Sequence, residues 1–158
     1  MHQKSAVVYR KQEPSPNTPE NFELPFEGKL SENNRWVIMT QLIPWSEFES
    51  EYASLFSESM GAPAKTFRMA LASLIIKEKL GTSDIETVEQ IRENPYLQYF
   101  IGLSSYSNDF PFDPSMLSHF RQRIGMDVVN QINQSMVSRN EEKTSLSTEK
   151  KTKHQKLN

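Results

Sequence analysis

The sequence predicts an all-α fold: a small helical bundle over residues 31–139 with a helix-turn-helix-like C-terminal part. An extended N-terminal arm (1–30) precedes the bundle, and a disordered linker or tail (140–158) follows it. Apolar residues recur at helical spacing through the bundle, with capping residues and helix breakers at intervals. No run of alternating β-branched residues indicates a strand. The tail has no aromatic, glycine or proline residue and is rich in lysine, which is typical of a solvated segment.

The first half of the bundle predicts three helices. Ser31 is the expected N-cap of a helix that stops before Pro44. The segment from Ser46 to Glu49 has the Ser-x-x-Glu form of a capping box and opens a second helix to about Phe56. Residues 64–80 are apolar on nearly every side of a third helix, which predicts a place in the middle of the bundle. Gly81 is the expected left-handed residue at its end.

The second half predicts four more helices, each opened by a capping signal. Ser83 begins another capping box, and Asn94 with Pro95 ends that helix and opens the next. Residues 103–112 form a polar loop. Asp113 and Pro114 then open a helix to Ile124, and Asp127 starts the last one, which reaches about residue 139.

The N-terminal arm carries three large apolar side chains within five residues, Phe22 to Phe26. Four prolines in the arm disfavour a helix. Such a cluster docks either on the body of the same chain or on a second subunit, and docking within the chain is the favoured prediction.

Composition excludes several classes of function. The chain has 158 residues, no cysteine, three widely spaced histidines and a net charge of −2, so thiol chemistry is excluded and a histidine-based metal site is not expected. Phosphate-binding glycine motifs and hydrolase signatures are missing. No apolar stretch approaches the ~20 residues of a membrane span, and a cytoplasmic protein without a membrane partner is expected. Charge is uneven, however: residues 46–112 have a net charge of −5, and residues 113–158 a net charge of +3.

The helix over residues 114–124 is the candidate DNA-binding element. Its apolar residues share one arc at ~100° per residue, and polar side chains occupy the remainder. Such a face suits the second helix of a helix-turn-helix, with arginine meeting guanine or phosphate. The candidate DNA-binding residues are Ser115, Ser118, His119, Arg121, Gln122 and Arg123. An ordinary amphipathic surface helix remains the alternative, and the preceding loop is longer than a tight helix-turn-helix allows.

Five segments of the chain occur in a recognisable order. They are Leu42-Ile43-Pro44-Trp45, residues 61–76, Gly81-Thr82-Ser83-Asp84, residues 93–103 and residues 112–121. Together they resemble the N-terminal helical domain of bacterial insertion-sequence transposases, the InsH-like enzymes of the DDE class. The resemblance spans roughly residues 20–139.

This resemblance implies a domain that helps recognise the terminal inverted repeats of a mobile element. In such enzymes a charged linker leads to a catalytic domain whose carboxylates hold two metal ions, expected to be Mg²⁺. No acidic residue follows Glu149 here. Because a two-metal site needs all of its carboxylates, the chain alone is expected to have no catalytic or metal-binding residue and not to cleave DNA. It is interpreted as the front part of a transposase.

Two other functions stay open at this point. The acidic middle of the chain disfavours contact with phosphates, so a protein-interaction or dimerisation module is the alternative, with a second copy or a full-length transposase as partner. A short product that inhibits the full-length enzyme is the other.

Overall fold

The computed structural model describes residues 18–54 and 65–156, which form an all-α bundle. The helices are α1 (Arg35–Leu42), α2 (Trp45–Ala53), α3 (Phe67–Leu80), α4 (Asp84–Glu93), α5 (Pro95–Phe100), α6 (Met116–Arg123) and α7 (Met126–Lys156), with a short 3₁₀ turn at Pro19–Asn21. Across these two ranges no strand forms, and the isolated parallel bridge between Glu23 and Ser105 stands alone. The predicted fold class is confirmed.

Helix α3 lies at the centre of the bundle, as its all-round apolar character predicts. It contacts α2, α4, α5 and α6, and its residues 70–76 are all buried. Thr66 caps its start by accepting a hydrogen bond from the Met69 amide at 3.1 Å, and Gly81 ends it in the left-handed conformation, with φ 64°. Neighbours on every side of one apolar helix give the fold a single main core.

Arg68, at the start of α3, fastens the centre of the bundle to the end of α5. Its guanidinium donates to the carbonyl oxygens of Tyr99 (2.6 Å) and Phe100 (3.1 Å), which lie in the last turn of α5 where carbonyls lack partners within the helix. The same group lies 5.4 Å from the ring centres of Trp45 and Tyr99. Burial lowers the pKa of Arg68 from its ordinary value, and the group stays charged because arginine is always protonated in proteins.

The loop between α5 and α6 is held from beneath by Gln98. This buried side chain donates to the carbonyls of Arg92 (3.0 Å) and Ser107 (2.9 Å) and accepts from the Ser107 amide (2.8 Å). Both polar atoms of the side-chain amide are therefore engaged, as a buried amide requires. Arg92 adds a 2.6 Å hydrogen bond to the Asn108 carbonyl. The polar segment before α6 is thus fixed to the bundle.

The described part of the N-terminal arm docks on its own chain. Phe22 is buried against Tyr99, with ring centroids 6.0 Å apart, and Leu24 packs against the same cluster. The backbone of Glu23 is hydrogen-bonded to Ser104 and Tyr106. Docking within the chain is confirmed for these residues, whereas Phe26 remains 83% exposed; residues 1–17 lie outside the described structure.

Three helices do not begin where the sequence predicts. Helix α1 is capped by Asn34, which accepts from the Trp36 amide at 2.9 Å, because the Ser31 hydroxyl instead accepts from Asn33 in a preceding turn. Helix α2 begins at Trp45, so Ser46 lies inside it and caps nothing; its predicted end at Phe56 lies outside the described residues. Helix α6 begins at Met116, after a turn that leads directly into it: the Asp113 side chain accepts from the Ser115 amide (2.9 Å), and the Asp113 carbonyl accepts from the Met116 amide (2.9 Å).

The predicted disordered tail also differs from the structure, in which α7 continues as a helix to Lys156. Residues 140–156 contain no helix breaker and many good helix formers, Glu and Lys among them. They lack an apolar face, and the residues whose exposure is described beyond Arg139 are all exposed. Local helix propensity, without packing, accounts for this segment.

Gly102 provides a test of the Arg68 contact. Its φ of 99° is one that L-residues rarely adopt, and a Cβ there would lie 3.1 Å from the Arg68 Cδ. We expect Gly102→Ala to lower the free energy of unfolding by about 2 kcal/mol, through backbone strain and displacement of Arg68. Gly125→Ala is the control, because Gly125 has nothing within 4 Å and no positive φ. Urea titration of both variants would contradict this expectation if they were equally stable.

Candidate nucleic-acid interface

Helix α6 is positioned by the apolar side that it turns to the bundle. Leu117 and Phe120 are fully buried, and the Phe120 ring meets Phe112 edge-on with centroids 5.3 Å apart. The helix packs on α3. Its predicted apolar arc is therefore the buried one, which fixes the polar arc as the outer face.

The candidate residues lie at different depths on this helix. Ser115, His119, Arg121 and Gln122 are exposed, whereas Ser118 and Arg123 are half-buried. The Ser118 hydroxyl donates to the Ser115 carbonyl at 2.8 Å and so helps to hold the first turn. No acidic residue occurs between Met116 and Arg123. The structure thus brings His119 and Gln122 together on an accessible face to which α6 itself contributes no carboxylate.

Arg121 points to a partner within the protein. Its two terminal nitrogens donate to the two carboxylate oxygens of Asp84, at 2.9 and 3.1 Å. Asp84 is the first residue of α4, 37 positions away along the chain. Sequence reasoning missed this pair, because a helix-opening aspartate carries no signal that identifies a distant arginine.

Lys77 of α3 completes a cluster that joins three helices. Its amino group lies 3.2 Å from Asp84 and donates to the Thr82 carbonyl at 2.7 Å. The hydrogen bonds from Arg121, and then those from Lys77, hold the pKa of the Asp84 carboxyl below its usual value, and the same pairing raises the pKa of Arg121. The carboxylate therefore stays ionised beside two cations.

Arg123 lies at the end of α6 beside Tyr52 of α2. Burial raises the pKa of the Tyr52 hydroxyl, and the charge and hydrogen bond of Arg123 oppose that rise. The Tyr52 ring packs on Phe67, with centroids 5.4 Å apart. Both arginines of α6 thus contact other helices of the bundle.

A different helix pair has the connection of a tight helix-turn-helix. Helices α3 and α4 are joined by residues 81–83 alone, the length and glycine content typical of that motif. Helix α4 carries four carboxylates against a single arginine, and such a surface repels phosphates. The loop before α6 spans residues 101–115, which is longer than the connection of a tight helix-turn-helix.

Metal sites and membrane-spanning helices are absent from the residues that the structure describes. Among the residues that the structure describes, no group of three histidine, aspartate or glutamate side chains could hold a metal ion. Within the same ranges, no helix is long and apolar enough to cross a membrane.

Comparison with known proteins decides the family. The family model described as "Transposase domain (DUF772)" matches residues 24–123, more than half of the chain. The chain belongs to this family. The match begins within the docked arm and ends with α6, so it covers the whole bundle except α7. The predicted resemblance to transposases is confirmed.

One relative of this transposase domain is a curated protein of Rhizobium meliloti, described as "Uncharacterized protein ORF8 in nfe locus". It is 29% identical to this chain over 116 residues, which are 73% of this chain and 56% of the relative. The chain thus spans about half the length of the relative that it matches. No solved structure matches the present chain.

The Asp84 cluster predicts a pH-dependent contribution to stability. We expect Asp84→Asn to lower the free energy of unfolding at pH 7 by about 1 kcal/mol, because it removes a bidentate surface ion pair. The folded-state pKa is depressed, so this contribution is present above the unfolded value near 4 and is lost as the pH falls through the folded pKa. Thermal unfolding measured from pH 7 to 3 should therefore show the stabilities of the wild type and Asp84→Asn converging below about pH 4.

Asp127→Asn is the matched control, since Asp127 occupies the first turn of α7 as Asp84 does in α4. It removes only an interaction with the helix dipole, worth ~0.5 kcal/mol. Equal losses in the two variants would show that the ion pairs add nothing to stability.

Proposed function

We propose that this transposase domain binds duplex DNA and helps recognise the terminal inverted repeats of its mobile element, with α6 entering the major groove. The observation that carries the proposal is the outer face of α6, which presents His119 and Gln122 from a helix that contains no acidic residue of its own, with Ser115 at its start. Family membership supplies the setting, because transposition requires recognition of DNA ends.

The side chains of this face suit contact with base edges. A glutamine can pair with adenine through two hydrogen bonds, and serine can bond to several bases. The major groove is wide enough to admit an α-helix. A histidine adds ring nitrogens that donate or accept according to their protonation. Neutral side chains that contact bases contribute to sequence discrimination more than to overall affinity.

Charge supports the same orientation. Residues 113–158 carry a net charge of +3, against −5 for residues 46–112. Helix α6 and the long α7 belong to the first group, and α3 and α4 belong to the second. Helix α6 therefore belongs to the more basic part of the sequence, and phosphate contacts made from that part would release counterions.

The proposal concerns recognition of DNA, and the Mg²⁺-dependent chemistry of a transposase is assigned to a separate domain. The described residues do not fit a two-metal centre, since they offer no cluster of three carboxylates or imidazoles.

Gel-shift titration of the full 158-residue chain tests the proposal. At ~150 mM salt we expect tighter binding to a duplex of the terminal repeats than to a scrambled duplex of equal length. Equal affinities would contradict specific recognition. Binding should also weaken steeply with salt, since phosphate contacts release counterions.

A pair of glutamine variants locates the reading face. We expect Gln122→Ala to reduce the preference for the terminal repeats by about 5- to 100-fold, the loss of one good base contact. Gln90→Ala is the control: Gln90 lies on acidic α4, where its amide donates to Glu86 at 2.8 Å, and its loss should leave the preference unchanged. The same effect from both variants would remove α6 from the interface.

A further inference from the structure

The cluster of Lys77, Asp84 and Arg121 holds two cations on one carboxylate at the surface of the bundle. The three residues come from α3, α4 and α6, and their side chains are 29%, 32% and 38% exposed. Solvent, and any ligand that binds there, can reach all three groups.

The Asp84 carboxylate occupies the two N–H donors of Arg121 that would otherwise bind a phosphate. A guanidinium binds carboxylate and phosphate with the same planar fork of two N–H donors. Asp84 takes both donors, one on each oxygen. Arg121 also precedes Gln122 on α6, so its side chain lies beside the face that we assign to DNA.

Removing the Asp84 carboxylate would change both the net charge of the cluster and the availability of the Arg121 donors. With Asp84 in place the cluster has a net charge of +1, and both terminal donors of Arg121 are engaged. With asparagine at this position the net charge is +2, and the donors of Arg121 are available. Exposed ion pairs are individually weak, so a phosphate can compete with Asp84 for Arg121. Asp84 limits that competition because its charge repels the phosphate and its oxygens occupy the donors of Arg121. Repulsive elements of this kind are a general means of gaining specificity.

We propose that Asp84 is a specificity-determining residue that suppresses non-specific DNA binding by holding Arg121, with Lys77 beside it, away from phosphates. This inference rests on the proposed function. The carboxylate acts as an internal substitute for a phosphate, so a duplex is retained only where the neutral side chains of α6 find their bases.

Binding of a scrambled duplex by Asp84→Asn, followed by fluorescence anisotropy between about 50 and 200 mM salt, tests the proposal. Each additional phosphate contact steepens the salt dependence by about 0.9 in logarithmic slope. We therefore expect the ratio of affinities at the low and high salt concentrations to rise about 3-fold over the wild type. The preference for the terminal repeats should fall in parallel.

Three variants separate this role from a structural one. Asp84→Asn with Arg121→Gln should return to the wild-type salt dependence, because the freed fork is then absent. Asp84→Glu keeps the negative charge and should behave as the wild type. Asp109→Asn removes an equal charge from an exposed loop residue and should not steepen the salt dependence.

The outcomes distinguish failure of this inference from failure of the proposed function. Wild-type binding with an unchanged salt dependence in Asp84→Asn would overturn the role of Asp84 and leave DNA recognition intact. A steeper dependence shared by Asp109→Asn would also overturn it. Absence of binding to any duplex by all of the proteins would overturn the proposed function itself.

Discussion

The half-buried guanidinium of Arg68 makes the contacts on which the arrangement of the bundle depends. It reaches from the first turn of the central helix to two carbonyl oxygens at the end of α5, and it packs against the rings of Trp45 and Tyr99. Three helices therefore meet at one charged group. A cation at the carbonyl end of a helix is favourable, because the dipole of that end is negative, and hydrogen bonds to charged groups are stronger than neutral ones.

The contacts that follow Arg68 along the chain determine the position of α6. The chain leaves α5 through Gly102, whose backbone passes against the Arg68 side chain. It then crosses a loop pinned by the Gln98 amide and arrives at Phe112, whose ring receives Phe120 of α6. The docked arm covers the same loop through Glu23. The outer face of α6 is thus set by a series of buried contacts, and such preorganisation favours selective binding.

Arginines in this protein serve mainly to join parts of the fold. The six arginines of the described region each contact another side chain or carbonyl of the chain: Arg35, Arg68, Arg92, Arg121, Arg123 and Arg139. Planar donors that form several hydrogen bonds at once suit this purpose. If α6 binds DNA as we propose, its neutral side chains would make the discriminating contacts, because its guanidinium groups are engaged within the fold.

The sequence alone determined the all-α class, the central place of α3, the caps at Ser83 and Asn94 and the buried face of α6, because each depends on residues close together along the chain. It predicted the family from the order of short segments. It did not determine the starts of α1, α2 and α6, where several residues compete to cap and tertiary contacts select one. Nor could it pair Arg121 with Asp84 or Arg123 with Tyr52. Those contacts join distant positions, so only the packing of the helices around α3 decided which arginines face the protein and which polar groups face outward.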